Sequence, residues 1–392
     1  MTEKRFPAHI KKKDFFHPAE DQNLIQALKK VEDPRGASCN FTYSLVSILF
    51  MTILASLCGA DDWPQIVALS NSMKDWIGQF VDVSNGIPSE YTFKRVFSAL
   101  APREMNKLLI SVSKLINTKS EKDIINFDGK TLRGTRDNNT GLKAIHTLNA
   151  WSTERGLCIG QVEVGEKTNE ITAMPELMDL LDLKGSIITA DALNTQKDIV
   201  KKAMAEKADY FLPVKGNHSS LQEEIETLFE DAIQKEFKGI DGDDYKTLEK
   251  NRGRIEERSY YSIDAEDLPS KEEWLGLSSV GMVMRKRVDK GKVSEEKIYY
   301  ISSCEVDARL LEKVTRGHWQ VENKLHWVLD VIFREDQSRY RDKNGAKNLT
   351  VVRKLALNAL SRDEKLKASK AAKRLVAAAD PNYRLEVLKN LF

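Results

Sequence analysis

The chain has 392 residues, of which 41% are hydrophobic and 31% are charged, and it carries 61 Lys and Arg against 59 Asp and Glu. This composition excludes a disordered or fibrous chain, and the length predicts two or three domains that fold without disulfides or metals. The formal net charge of the whole chain is only +2, but the charge is unevenly distributed along the sequence. Residues 339–392 hold 14 basic and 5 acidic residues, a net charge of +9, which leaves the first 338 residues with 47 basic and 54 acidic residues and a net charge of −7. An acidic body with a basic C-terminal region indicates an anionic partner.

The cysteines and the apolar segments indicate a cytosolic protein. Cys39, Cys58, Cys158 and Cys304 lack the Cys-x-x-Cys spacing of a zinc site, and we expect them to be reduced. No apolar segment follows the basic N-terminus, so no signal peptide is expected. Residues 36–60 contain no charged residue and could span a membrane on length alone, but their seven Ser, Thr and Asn residues favour a buried helix.

The N-terminal part of the chain predicts an all-helical module. Within residues 20–118, apolar side chains recur at helical spacing in six segments. Turn residues separate segments at 33–36, 85–89 and 101–102, and Ser89 is suited to cap the helix that follows it.

Short β-branched runs replace the helical pattern from Asp123 onward. Three strands come first, followed by helix, strand, helix and strand, which predicts a mixed α/β sheet with helices packed on it. The predicted strands cover 123–129, 144–152, 156–164, 185–191 and 209–216, and the predicted helices cover 170–183 and 194–207.

A β-rich insertion is predicted at about 217–306. It begins with an acidic helix at 221–237, and strands are expected at 255–263, 278–288 and 296–303. From Val306 the pattern is helical again, and the basic C-terminal region predicts two or three further helices.

Asp128 and Asp191 each end a predicted strand, which is where α/β proteins collect functional groups. If the two strands are neighbours, the carboxylates lie close together, and a bound Mg²⁺ or Mn²⁺ would offset their repulsion. The alternative is that each Asp caps a turn or a helix, as such residues commonly do.

Glu322 is the third candidate acid. On a predicted helix it has His318 and His326 four residues to either side, and a Trp follows each histidine. For the histidines we favour positioning or phosphate contact over metal ligation. The alternative is an amphipathic helix whose His and Trp side chains pack the core while Glu322 pairs with Arg316.

These residues lie in segments that resemble DDE-type insertion-sequence transposases, in the subgroup of H-repeat-associated proteins linked to Rhs elements. The resemblance covers nearly the whole chain. The matching segments, in chain order, are DPRGASCNFTYSLVSILFMTILASLCGADDW, GIPSEYTFKRVF, INFDGKTLRG, HTLNAWSTERGLCIGQVEVGEKTNEITAMPELMDLLDLKGSIITADALNTQ, ADYFLPVKGNH and HWQVENKLHWVLDVIFREDQSRYR.

The resemblance implies an RNase H-like catalytic core with a β-rich insertion ahead of the final acidic helix. Carried over by motif, Asp128, Asp191 and Glu322 would be the catalytic acids and the ligands of Mg²⁺ or Mn²⁺. The implied activity is that of a DNA transposase, which cleaves phosphodiester bonds at the ends of its element and joins the 3′-OH ends to target DNA by two-metal-ion catalysis.

One departure from related transposases concerns the surroundings of the last acid. Relatives carry Tyr, Arg and Lys at fixed offsets from it, where this chain has Thr315, His318 and Leu329. We therefore expect Arg316 or His318 to take over the phosphate contact.

The expected organisation has three parts: a helical DNA-binding module at 1–118, an RNase H-like catalytic domain at 119–338, and a basic helical region at 339–392. We assign recognition of the terminal inverted repeats to the N-terminal module. By analogy with paired-end cutting, we expect a homodimer on double-stranded DNA, in the cytoplasm at the nucleoid and not in a membrane.

Further polar residues are candidates for contact with DNA phosphates. They are Lys130 and Arg133 after the first acid, Lys215, Asn217 and His218 after the last core strand, Arg316, His318 and His326 around Glu322, and Lys367, Lys370, Lys373 and Arg374 near one face of a C-terminal helix. For the Lys and Arg residues the alternative is an ordinary solvated charge.

Two other functions stay open at the level of sequence. One is a metal-dependent nuclease of RNase H type that does not join strands, and the other is a DNA-binding relic with a defective site. The presence of all three acids argues against simple decay. A membrane protein built on residues 36–60 is a more distant alternative.

Overall fold

The computed structural model describes residues 24–36, 41–116, 122–137, 139–165, 169–251, 254–289 and 292–391. The prediction for Cys39 lies outside these residues, as does part of the uncharged segment at 36–60. The chain divides into two compact units. Unit 1 comprises residues 1–117, 132–144 and 328–392, and unit 2 comprises residues 118–131 and 145–327.

The elements follow the predicted order along the described chain. The N-terminal helices are α1 (Leu24–Lys29), α2 (Leu45–Leu57), α3 (Trp63–Ser72), α4 (Lys74–Ile77), α5 (Glu90–Ala99) and α6 (Pro102–Leu115). The core elements are β1 (Ile124–Leu132), β2 (Ile145–Ser152), β3 (Leu157–Val164), α7 (Glu170–Leu180), β4 (Ile187–Ala190), α8 (Lys197–Ala205) and β5 (Asp209–Val214).

The predicted insertion contains one helix and four strands, one strand more than expected. Its elements are α9 (Ser219–Gln234), β6 (Gly242–Asn251), β7 (Arg254–Asp264), β8 (Ser279–Asp289) and β9 (Lys292–Ser302). The remaining helices are α10 (Ala308–Gln320), α11 (Lys343–Arg362), α12 (Lys370–Ala379) and α13 (Pro381–Lys389).

Unit 1 is built around two buried helices. All but one of the 13 residues of α2 are buried, and α11 packs against α2, α5 and α6. Ser44 caps α2 by accepting a hydrogen bond from the backbone N of Ser47 at 3.0 Å. Within the described part of the uncharged segment, residues 45–57 form a short core helix, as predicted, and none of the described helices is both long and apolar enough to cross a membrane.

Unit 2 is built on one continuous sheet of nine strands, in the order β3-β2-β1-β4-β5-β9-β8-β7-β6. β4 pairs in parallel with β1 and β5, whereas β9, β8, β7 and β6 continue the sheet beyond β5 in antiparallel pairs. The mixed α/β class with a β-rich insertion is confirmed, and the order of the first five strands agrees with an RNase H-like core.

Helix α10 lies on this sheet. Its Ala308, Leu311 and Val314 share a buried cluster with Ile124 of β1 and Ile187 of β4, and the cluster also includes side chains of β5, β7, β8 and β9. Because α10 spans the core strands and the insertion, it fixes the direction of the helical segment that follows it.

The helix changes its geometry after Gln320. Residues Val321–His326 and Val328–Ile332 form π-helical turns, in which the N–H of Trp327 donates to the backbone O of Glu322, five residues earlier. Buried positions recur every three residues through α10 and then every four, at 317, 321, 325, 329 and 333. Such π-helical turns are uncommon and are frequently found at functional sites.

Candidate functional site

Asp128 and Asp191 lie side by side on neighbouring strands, but Asp128 does not end its strand as predicted, because β1 continues to Leu132, whereas Asp191 directly follows β4. β1 and β4 pair in parallel with Phe127 opposite Ala190, and each Asp is the next residue along its strand. Neighbouring strands are about 4.8 Å apart, so the two side chains are close neighbours. Asp191 also caps the short 3₁₀ turn that follows it, because its Oδ1 accepts from the backbone N of Asn194 at 3.2 Å. Asp191 therefore both caps a turn and lies beside Asp128, so the two interpretations of this residue hold together.

The helical segment brings Glu322 and both histidines to the same group. Nδ1 of His326 lies 3.4 Å from Oδ2 of Asp128. Burial lowers the pKa of His318, and the charges of Asp191 and Glu322 oppose that shift. His318 is therefore neutral at pH 7, and its Nδ1 is buried without a hydrogen-bond partner in the described structure.

The electrostatics of Asp128 show how much negative charge collects here. The pKa of Asp128 is raised to about 7, first by burial, then by the charges of Glu170 and Asp191 and, to a smaller extent, Glu322, while a hydrogen bond from the backbone of Gly129 lowers it. Carboxylates that repel one another in this way favour either a proton or a cation.

Glu170 is a fourth acid of this group, and the sequence did not predict it. Glu170 begins α7, and its Oε1 lies 2.8 Å from Nε2 of His146 on β2. Its Oε2 accepts from Nδ2 of Asn194 at 3.1 Å, and the same Nδ2 donates to Oδ1 of Asp191 at 2.7 Å. The hydrogen bond from His146 is the main reason that the pKa of Glu170 is lowered despite burial, so Glu170 stays charged.

The glycine after Asp128 has a steric role. A Cβ atom on Gly129 would lie 1.9 Å from Oε1 of Glu170 and 2.8 Å from Nε2 of His146. The glycine thus permits Glu170 to approach the backbone of β1 next to Asp128.

The donor set of this group has the chemistry of a magnesium or manganese site. Carboxylate oxygens are the ligands that these hard cations prefer, and the pKa of Asp128 is raised first by burial and then by neighbouring negative charges, which a cation would offset. Within the described residues, however, no three His, Cys, Asp or Glu side chains are close enough together to be a formed metal site. The residue types fit a divalent cation, and the side chains would have to converge further to hold one.

The candidate phosphate contacts within unit 2 differ in accessibility. Lys215 is exposed and close enough to His318 to lower its pKa. Asn217 donates to the backbone O of Ala192 at 2.9 Å, and Nε2 of His218 lies 2.6 Å from the backbone O of Thr195, so both brace the loop after Asp191. Lys130 is buried within β1.

Arg316 pairs with acids other than Glu322. It forms ion pairs with Glu249 on β6 and with Glu312 one turn earlier on α10. The alternative in which Glu322 pairs with Arg316 is therefore not what the structure shows. The side chain of Glu322 is exposed instead.

A cleft of about 950 Å³ extends from Asp191 and Lys215 to the inserted strands. Its lining includes Arg258 and Arg285, and the guanidinium of Arg285 lies 5.2 Å from the ring centroid of the exposed Trp319. Both arginines form ion pairs with glutamates of the same surface, so their charges are already largely offset.

The remaining candidates belong to unit 1. Arg133 is largely exposed, and its backbone N donates to Oδ1 of Asp336 at 3.1 Å. Lys367 is exposed but precedes the helix, because Ser369 caps α12 and the helix begins at Lys370, whose Nζ donates to the backbone O of Leu360 at 3.1 Å.

Lys373 and Arg374 are buried, which corrects the prediction of one exposed basic face. Lys373 is 5% exposed and lies 3.0 Å from Oδ2 of Asp363, whereas Arg374 is 4% exposed and lies 2.7 Å from Oδ1 of Asp61. Of the 14 basic residues after residue 338, six are buried. These six are Lys347, Arg353, Lys354, Lys373, Arg374 and Arg384. Much of the basic charge of this region therefore stabilises unit 1.

Comparison with known proteins agrees with this arrangement. Residues 119–359 match the family described as Transposase DDE domain, and residues 25–112 match the family described as associated with it. The H repeat-associated putative transposase YhhI of Escherichia coli K12 is 38% identical over 373 residues, which cover 94% of this chain and 98% of the relative. The putative protein YbfL of the same strain is 37% identical over the same length and coverage.

Among solved structures, the chain is similar to a piggyBac transposase in a synaptic complex with hairpin DNA. The TM-score is 0.41 and the sequence identity is 13%, with 93% of this chain and 79% of that chain covered. A likeness at this level is too small to support a functional comparison.

Proposed function

The chain belongs to the Transposase DDE domain family, and we propose that it cleaves phosphodiester bonds at the ends of its own element and joins the 3′-OH ends to target DNA. Asp128, Asp191 and Glu322 are the catalytic acids in this proposal. The pairing of Phe127 with Ala190 carries it, because that register sets the first two acids side by side. The mutual effect of the carboxylates on the pKa of Asp128 supports the inclusion of Glu322.

The same three carboxylates would hold Mg²⁺ or Mn²⁺. When bound, the cation supplies Lewis-acid polarisation of the scissile phosphate. The protein supplies the concentration of negative charge that attracts the cation, and Asp128 holds a proton on its carboxyl until the pH rises above about 7. Binding at lower pH therefore has to displace that proton.

Two further side chains are suited to the substrate. Lys215 is exposed beside His318 and offers a positive charge to a phosphate near Asp191. His318 is neutral and presents a buried ring nitrogen beside Asp191 and Glu322, where it can hold a proton or a phosphate oxygen.

The partner in this proposal is double-stranded DNA that carries the terminal inverted repeats of the element. The N-terminal helices recognise the repeat sequence, and a homodimer pairs two ends for coordinated cutting. Lys367 and Arg133 are the exposed candidates in unit 1 that remain available for phosphate contact.

The proposal is tested by incubating the full-length protein with a labelled duplex of the terminal repeats, Mg²⁺ and a target plasmid. We expect nicked repeat ends and covalent joints to the plasmid with the wild type, and neither product with Asp191→Ala or Asp128→Asn. Asp198→Asn is the matched control, since Asp198 is exposed on α8 and its ion pair within the described residues is with Lys201, at 3.4 Å.

The products distinguish transposition from simple cleavage. Nicking without joints to the plasmid would identify a nuclease of RNase H type. Binding of the repeats without Mg²⁺-dependent nicking would identify a DNA-binding relic. Full activity of Asp128→Asn would remove Asp128 from the catalytic group.

A further inference from the structure

Four hydrogen bonds connect the end of β1 to Asp191 through side chains outside the three proposed catalytic acids. Oγ1 of Thr131 lies 2.9 Å from Nδ1 of His146, and Nε2 of His146 lies 2.8 Å from Oε1 of Glu170. Nδ2 of Asn194 then donates to Oε2 of Glu170 at 3.1 Å and to Oδ1 of Asp191 at 2.7 Å. The chain of contacts therefore links β1, β2, α7 and the turn after β4.

The Asn194 amide is the junction of this chain. Asn194 is fully buried, and its two partners are carboxylates, which only accept hydrogen bonds when ionised. Its NH₂ group must therefore point toward both of them, and one amide group fixes the relative positions of Glu170 and Asp191. The backbone N of Asn194 also donates to Oδ1 of Asp191, at 3.2 Å, so this oxygen is held from two directions.

The Glu170 side chain is held in place by burial and by hydrogen bonds. Its side chain is 15% exposed, and its carboxylate lies against Gly129, where a Cβ atom would approach Oε1 to 1.9 Å. Both carboxylate oxygens are occupied by donors, one from His146 and one from Asn194. With one fixed donor on each oxygen, Glu170 is arranged to orient its neighbours.

We propose that Glu170 is a positioning residue: acting through Asn194 and against Gly129, it holds Asp191 and the part of β1 that carries Asp128 in the orientation that binds a divalent cation. This inference rests on the proposed function, because it presumes that Asp128 and Asp191 are ligands. Residues that orient metal ligands from behind are commonly needed for full metal affinity.

A simpler role for Glu170 would be to stabilise the start of α7. Acidic residues in the first turn of a helix interact favourably with its dipole, and Asn169 already caps this helix. That role predicts a change in thermal stability only. The positioning role predicts a change in metal affinity that stability does not explain.

The two roles are separated by titrating Mn²⁺ into the full-length protein by calorimetry, with the melting temperature of each variant measured in parallel. In Glu170→Gln one of the two carboxylate oxygens becomes an NH₂ group, so the side chain can no longer accept a hydrogen bond on both sides. Asn194→Ala removes the link between Glu170 and Asp191 from the other side. Glu176→Gln is the matched control, because Glu176 lies exposed on the same helix.

We expect Glu170→Gln and Asn194→Ala each to weaken Mn²⁺ binding by about 10- to 100-fold at unchanged stoichiometry. The double variant should bind no more weakly than the weaker single variant, since both substitutions break one connection. Glu176→Gln should bind as the wild type does. If Glu170→Gln does not fold, Asn194→Ala carries the comparison alone.

Three results would overturn the inference. They are wild-type affinity in the folded variants, additive losses in the double variant, and loss of one equivalent of Mn²⁺ in Glu170→Gln, which would make Glu170 a ligand. Each leaves the proposed function intact. A wild type that neither binds Mn²⁺ nor cleaves the terminal repeats would instead overturn the proposed function, and the inference with it.

Discussion

Nδ1 of His326 lies 3.4 Å from Oδ2 of Asp128, so the π-helical segment that carries Glu322 directly contacts the middle of β1. His326 lies on the same helical segment as Glu322, and its contact with Asp128 connects that segment to β1. Its position explains why a histidine four residues after the last acid is useful even if it does not bind metal.

We expect His326→Ala to slow cleavage of the terminal repeats by about 10- to 100-fold, because Asp128 loses a neighbour that orients it. The measurement is the initial rate of nicking at saturating Mg²⁺. Asn323→Ala, at an exposed position of the same segment, should retain the wild-type rate. Equal rates for both variants would show that the contact has no part in catalysis.

Asp128→Asn should stabilise the protein without metal at pH 8 while abolishing cleavage. Because the pKa of Asp128 is raised to about 7 from 3.8, the protonated carboxyl is favoured in the folded state. The resulting stability is fully present below pH 3.8 and is lost as the pH rises toward 7. The variant, which cannot ionise, should therefore be more stable than the wild type at pH 8 by up to about 4 kcal/mol.

The check is urea unfolding of the wild type and Asp128→Asn at pH 4 and pH 8, with a chelator present. The difference between the two proteins should be large at pH 8 and small at pH 4. Asp198→Asn should show no such difference. A constant gap at both pH values would mean that the substitution acts through packing and not through charge.

Gly129→Ala should impair metal binding more than it impairs folding. The added Cβ atom cannot fit beside Oε1 of Glu170 at 1.9 Å, so the Glu170 side chain has to move. We expect a loss of about 1–3 kcal/mol in unfolding free energy, the usual cost of overpacking, together with weaker Mn²⁺ binding. Gly216→Ala, where no atom lies within 4 Å of the new Cβ, is the control. Unchanged Mn²⁺ affinity in Gly129→Ala would contradict the proposed role of Glu170.

Substitution of two lysines near α12 should have opposite consequences. Lys373 is buried against Asp363 at 3.0 Å, so Lys373→Ala leaves an uncompensated buried charge and should cost about 3–5 kcal/mol of unfolding free energy. Lys367 is exposed, so Lys367→Ala should leave stability unchanged. If Lys367 contacts a phosphate, the slope of log affinity against log salt should fall by about one. DNA binding by titration in increasing salt and urea unfolding separate the two effects.

The order of strands and helices in the core could be predicted because each element carries a regular apolar pattern. β6 was missed because Gly242–Asn251 has only Tyr245 and Leu248 as large apolar residues, and these do not alternate. A polar sequence suits the outermost strand of a sheet, whose free edge has to resist pairing with other chains.

The two strand acids could be predicted because each directly follows an apolar run. Glu170 could not be predicted from local pattern, since at the start of a helix it has the same appearance as any acid that favours the helix dipole. Its partners His146 and Asn194 each lie 24 residues away in sequence, and only the fold brings them together. Lys373 and Arg374 were misjudged for a related reason, because a charged residue is normally solvated and its burial depends on distant partners.

The four-residue spacing after Gly317 makes this segment sensitive to length. In a regular α-helix, side chains four residues apart drift by about 40° per step, so His318, Glu322 and His326 would spread over about 80°. The wider π-helical turns reduce that spread and keep the three side chains on one side. Replacing a residue here alters one contact, whereas deleting a single residue between Glu322 and His326 would turn the His326 side chain away from the side that carries Glu322. The number of residues between Glu322 and His326 is therefore as much a part of this site as their identity.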